Sequence, residues 1–196
     1  EILKNQSVVS NTTTSAITNI ATKTVSALTY LTTKHRNAPP LLQKKLLKCD
    51  EDDTLMDKIL IEYREDRLHE FIGDIIAEFY KKEDPNDQSI WNSDASRLSF
   101  LIKDLVGEKS EWIKDNMGVK LRQLVIKPIT TLIEELIKEW NIERSAVNTY
   151  DMSNEQIEKN LEDQPSALGI MAEVKSGALE EKIARHLSPR FGLNKI

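Results

Sequence analysis

Four acidic residues follow one another at Asp50-Glu51-Asp52-Asp53, and carboxylate oxygens are what calcium and magnesium take as ligands. A calcium loop, however, alternates its oxygens, turns on a glycine and ends on a distant glutamate. This run does none of that and reads as a solvated acidic linker. His35, His69 and His186 lie far apart, with no His-x-x-x-His pair and no flanking carboxylate motif of the kind that holds zinc. Each reads as an ordinary surface or partly packed residue. Cys49 is the one cysteine, which excludes an internal disulfide and a cysteine-based zinc finger. Its acidic neighbours raise a thiol pKa, so it is not read as a nucleophile. Neither a P-loop nor a dinucleotide-binding glycine pattern occurs. No catalytic, cofactor-binding or metal-binding residues are therefore expected, and no cofactor.

What remains is charge and apolar contact. Lys103, Lys109, Lys114, Lys120, Arg122 and Lys127 form one basic stretch, but Asp104, Glu108, Glu111 and Asp115 interleave with it. A second cluster, Lys34-His35-Arg36 with Lys44, Lys45 and Lys48, has the charge to touch phosphate. If the chain binds nucleic acid, the residues expected to do so are Lys34, Arg36, Lys44, Lys45, Lys114, Lys120 and Arg122. The formal net charge of -5 removes any global attraction to a polyanion. Trp91, Trp112 and Trp140 read as core anchors rather than stacking platforms, Trp91 as one buried between two amphipathic helices.

The elements that must position these groups are mostly helical. Six glycines and six prolines in 196 residues are few for a sandwich or barrel. No apolar run approaches the roughly 20 residues of a membrane span, and no signal-peptide pattern is visible. Residues 24–34 carry Val25, Leu28 and Leu31 at helical spacing, closed by Asn37-Ala38-Pro39-Pro40; Leu41, Leu42, Leu46 and Leu47 suggest a short second helix. Thr54 is placed to cap a long amphipathic helix reaching about Lys82. Its length allows a break near Arg64–Leu68, and Gly73 within it implies close approach of another helix. The spacing of Leu98, Leu101, Ile102 and Leu105 predicts a helix over Asp94–Val106, capped by Ser93 and ended by Gly107. Two short runs around Asn116–Gly118 predict a hairpin. Helix returns over Leu121–Trp140, with Pro128 marking a kink or the true first turn. Ser153 and Gln156 form a capping box, Gln164-Pro165-Ser166 breaks the helix it opens, and Gly177 precedes a last helix ending before Pro189.

The expected fold is thus mainly α: a helical domain with one small β-hairpin (about residues 112–121) and an extended N-terminal arm. Residues 1–23 form the arm, 24–147 the main helical domain and 148–196 a C-terminal helical segment packing on it. Both ends read as docking segments that order on a partner, through Val8, Ile17, Ile20, Phe191 and Leu193. The chain begins at Glu1 and is read as a fragment or a processed product.

Several stretches carry a family likeness. They are Thr24–Leu31 with Asn37-Ala38-Pro39, Glu70-Phe71-Ile72-Gly73-Asp74, Tyr80–Pro85, Ile90-Trp91-Asn92-Ser93-Asp94-Ala95-Ser96-Arg97-Leu98, Trp112–Asp115 with Gly118-Val119-Lys120, Lys127-Pro128, and Ala178–Phe191. In this order they resemble the C-terminal domain of largely uncharacterised proteins of giant, mimivirus-like DNA viruses. In such proteins the domain often follows a zinc finger and an Asn/Thr-rich linker, and residues 5–24 look like the end of such a linker. The finger is not in this chain, so DNA binding is not carried over. The resemblance, with the absence of catalytic motifs, implies a non-enzymatic viral structural protein, a virion component such as a minor capsid or capsid-associated protein. Its partners would be other viral structural proteins or copies of itself, in the virion or the host cytoplasm (the viral factory), not secreted. The alternative is a nucleic-acid-binding or regulatory adaptor whose zinc-finger part lies outside this chain.

Overall fold

A short antiparallel sheet lies between two unequal apolar layers, the main helical core on one face and a smaller cluster on the other. The computed structural model describes residues 27–44, 46, 54–146 and 152–193. The expected N-terminal arm with Val8, Ile17 and Ile20, together with Lys45, Cys49 and the acidic run, lies outside the described residues. In order come helix α1 (27–34), α2 (Thr54–Arg64), α3 (Leu68–Tyr80), strands β1 (Ile90–Asp94), β2 (Ser99–Val106) and β3 (Lys109–Asp115), then α4 (Val119–Leu121), α5 (Lys127–Ser145), α6 (Asn154–Ser176) and α7 (Ala178–Arg190). The fold is mainly α with a small β part, as the sequence predicts.

The long helix read over residues 54–82 is two helices. Asp66 adopts a left-handed φ of 53°, and the chain closes α2 there with Asp66 N–H donating to the Tyr63 carbonyl at 2.9 Å. Gly73 does face another helix: a Cβ at this position would sit 2.5 Å from Cδ2 of His186 on α7. That ring is held by Asp74, whose Oδ1 lies 2.8 Å from His186 Nε2. Gly73→Ala gains about 1 kcal/mol of helix propensity, but the ring must move, and overpacking of this kind costs about 1–3 kcal/mol. The expected result is a net loss of about 1 kcal/mol, read as a lower urea midpoint. A higher midpoint would mean that His186 swings away freely.

The helix expected over Asp94–Val106 is corrected to strand. Asp94 accepts from Ser96 N–H at 3.1 Å and Ser96 Oγ–H at 2.6 Å, which shapes a 3-10 turn over Ala95–Arg97, and Leu98 reverses the chain at φ 48°. The Ser96 hydroxyl bond holds the Asp94 carboxyl below its ordinary pKa. Ser99–Val106 then pairs antiparallel with β1 on one side and β3 on the other. Phe100 and Ile102 enter the helical core, while Leu101 packs with Ala27, Leu31, Ala38 and Trp112 on the opposite face. A strand covered on both faces shows a continuous apolar run, not alternation, and such a run also fits a helical spacing.

The expected hairpin is shifted as well. Its turn is Gly107-Glu108, with Gly107 at φ 62°, a two-residue loop that opens on a residue only glycine occupies cheaply. At Asn116–Gly118 a 3-10 turn leads from strand into helix instead, with Met117 at φ 58°. Asp115 accepts from the N–H groups of Lys120 and Leu121 at 3.0 and 2.9 Å, which fixes the start of α4. A π turn over Arg122–Ile126 precedes α5. Pro128 sits in the first turn of α5, where the widened turn behind it accepts a ring that would otherwise strike the carbonyl four residues back.

The Ser153–Gln156 capping box is present in both directions. The break expected at Gln164–Ser166 is not: α6 runs through Pro165. Its inward face, Ala167, Ile170 and Val174, shares one core with α2, α3, α5 and α7, and that packing offsets the proline. The short helix expected from Leu41 also does not form over the described residues 41–44 and 46. Leu41 is buried there in irregular chain, and its N–H donates to the Lys103 carbonyl at 2.6 Å.

The apolar tail needs the largest correction. Phe191 is 1% exposed and belongs to the main core. Asn92 N–H donates to its carbonyl at 2.6 Å, and Leu193 N–H donates to the Asn92 carbonyl at 2.9 Å. The tail therefore adds a bridge to the free edge of β1. Leu193 packs on the smaller apolar layer with Trp91. Of the five residues read as partner-docking, the two in the tail therefore pack on the domain itself, Phe191 buried and Leu193 half-buried. Trp91, expected between two helices, lies on β1, half-buried, with His35 stacked 6.2 Å away.

Candidate functional surfaces

The sheet face under α1 carries a groove of about 510 Å³ lined by Thr32, Arg36, Lys103, Lys109, Ser110, Glu111 and Trp112. Its position follows from register. Lys103 of β2 stands opposite Trp112 of β3, and Leu101 opposite Lys114, so alternation puts all four on one face. Leu101 and Trp112 anchor α1 and the Ala38 turn to that face, and Trp112 Nε1–H donates to the His35 carbonyl at 2.9 Å. This fixes the end of α1, and with it Arg36, beside the strands. Lys103 is 3% exposed. Its Nζ donates to the Arg36 carbonyl at 2.7 Å and lies 5.8 Å from the centre of the Trp112 ring. Burial pushes its ammonium pKa down, the Arg36 charge adds to that, and Glu111 opposes it.

Among the described residues, Arg36, Lys103 and Lys109 have no ion-pair partner. The cations elsewhere that meet carboxylates include Lys120 with Asp104 and Arg190 with Asp74. Of the residues expected to touch nucleic acid, Arg36 lines the groove, and Lys34 and Lys114 stand exposed at the end of α1 and on the same sheet face. Lys44 is exposed in the irregular segment. Lys120 leaves the group by pairing with Asp104, and Arg122 is half-buried in the π turn. Lys103 and Lys109 were masked in the sequence by their acidic neighbours. On a strand, Asp104 falls on the face opposite Lys103 and turns to Lys120, and Asp115 caps α4, while Lys109, opposite Val106 in the register, lines the groove from the edge strand. Only Glu111 stays at the groove.

A second surface lies on α6. Ile157, Leu161 and Leu168 are 40, 71 and 69% exposed. Four- and seven-residue spacing sets them within one narrow stripe about 16 Å long, on the side away from Ala167, Ile170 and Val174. The sequence signal was a helix apolar on two sides, which the expected break at Pro165 cut in half.

Two polar clusters are structural. Asp163, 1% exposed, accepts from Arg64 at 2.7 Å and Arg144 at 3.3 Å. Asp74 joins His186 and Arg190, with the His69 ring edge-on to His186 at 6.2 Å. Among the described residues no group of three or more His, Cys, Asp or Glu side chains could hold a metal ion, and no helix is long and apolar enough to cross a membrane. Comparison of the chain with models of known protein families, with curated proteins and with solved structures finds no match.

Proposed function

We propose that this chain is a non-enzymatic component of a large DNA virus that works by docking on protein partners, as a minor capsid or capsid-associated protein of the virion. The observation that supports docking is the stripe Ile157, Leu161 and Leu168 on α6. A helix that already buries one apolar face and presents a second is shaped for a protein neighbour. The viral assignment rests on the family resemblance. With Phe191 and Leu193 consumed by the core, α6 replaces the C-terminal tail as the docking element. The partners are other virion proteins or further copies of the chain, met in the viral factory or the particle.

Cross-linking mass spectrometry on purified particles tests this. The expected result is a stoichiometric component with cross-links from the exposed Lys175, which follows the stripe on the same side of α6, to a neighbouring protein, and loss of incorporation with Leu161→Glu/Leu168→Glu. Confinement to infected-cell extract, with cross-links to nucleic acid, would overturn it. That outcome would favour the second reading, a nucleic-acid-binding adaptor, which draws on Lys34, Arg36 and Lys114: among the described residues none has a carboxylate partner.

A further inference from the structure

The geometry points to a binding site for a small phosphate ester in the groove between the end of α1 and strands β2 and β3, with Arg36, Lys103 and Lys109 as its cations. This is separate from the docking reading on α6. Three cations and one carboxylate line the groove, and among the described residues none of the three cations is neutralised by an ion pair. Arg36 supplies a planar fork that matches two phosphate oxygens at once. Lys103 is the unusual member. A buried ammonium is costly unless it is paired, yet among the described residues it donates to one backbone carbonyl, that of Arg36, and lies against the face of Trp112. An ammonium has three N–H donors, so two remain for a bound anion. Thr32 and Ser110 add hydroxyls at the rim.

The size and lining favour a compact ligand over a polymer. The groove volume falls in the range of small-molecule sites, roughly 300–1,000 Å³. Single-stranded nucleic acid needs an exposed aromatic platform for its bases, and Trp112 is 7% exposed with its indole N–H committed to His35. Glu111 narrows the choice. Its charge opposes a dense polyphosphate, while its oxygens accept from a hydroxyl, so an ester that carries hydroxyl groups beside its phosphate suits the set.

Titration with glycerol phosphate, a hydroxyl-bearing phosphate ester, followed by the Trp112 indole N–H signal in NMR spectra and by calorimetry, tests the site. The expected result is saturable binding with a shift of that signal. Arg36→Ala and Lys109→Ala, both at exposed side chains, should each weaken it about tenfold or more, and Lys138→Ala on α5 should leave it unchanged. Lys103→Met should abolish binding while the melting temperature holds or rises, because an apolar side chain replaces a buried charge. Glu111→Gln should tighten pyrophosphate by removing a like charge. No shift at millimolar glycerol phosphate, or equal binding by the Arg36, Lys109 and Lys103 variants, would overturn the site. A single-stranded oligonucleotide that binds far more tightly than glycerol phosphate and is lost in the same variants would also overturn it, by making the ligand a polymer.

Discussion

Phe191→Ala is expected to cost about 3–5 kcal/mol, the usual range for deleting a fully buried aromatic side chain. A domain of this kind has about 5–15 kcal/mol in total, so the variant should sit near the edge of folding at physiological temperature. Phe191 is 1% exposed within the same cluster as Ile183 and Leu187 of α7 and Phe100 of β2. Its backbone also matters. With the Asn92–Phe191 and Leu193–Asn92 bonds in place, the tail covers the edge of β1 that β2 leaves open, and an uncovered strand edge is a template for pairing with other chains. Truncation after Arg190 should therefore destabilise further than Phe191→Ala and promote aggregation. Chemical denaturation followed by circular dichroism reads the first effect, and hydrogen exchange at the Asn92 amide reads the second. An unchanged midpoint in both variants would return the tail to the role of a free docking arm.

How far the sequence carried this fold depended on whether an element's pattern was decided locally. The Ser153–Gln156 box and the turn at Gly177 are local and were legible, the first turn was one of two readings open for Pro128, and a glycine inside a helical pattern was enough to signal the distant close contact at Gly73. Residues Leu98–Leu105 were not, because burial on both faces erases the alternation that marks a strand, and only knowledge of the second layer over Leu101 would have restored it. The groove was hidden for the same reason. Lys103 beside Asp104 looks like neutralised surface until the backbone is known to be extended, and then the two point to opposite faces. Pro165 misled in the other direction: a local breaking signal lost to the packing of Ala167, Ile170 and Val174. Phe191 read as tail because nothing in the residues around it shows that a strand edge about a hundred positions earlier is open.

The second large effect is expected at the clasp around Asp163. This carboxylate, 1% exposed on α6, takes Arg64 from the end of α2 and Arg144 from the last turn of α5. The Arg144 guanidinium also lies 4.1 Å from the centre of the Trp140 ring. The two sides of the clasp are not equivalent. The arginine side chains are 33 and 23% exposed, so both reach water, and Asp163→Ala should cost about 1–3 kcal/mol for lost hydrogen bonds. Arg64→Ala/Arg144→Ala instead strands a buried carboxylate, and breaking such a pair from that side costs about 3–5 kcal/mol. Replacing all three by Leu should recover much of the loss, because no charge is then left unpaired. Urea denaturation of the three variants gives the ordering, and a double-mutant cycle separates the two arginines. The clasp also sets the mobility of the docking surface. Released from α2 and α5, residues 154–162 should exchange their amide hydrogens faster by local opening, and these carry Ile157 and Leu161. Equal costs for Asp163→Ala and the double arginine variant would show that the carboxylate finds water unaided. In that case the packing of Ala167, Ile170 and Val174, rather than the clasp, would be what holds α6 in place.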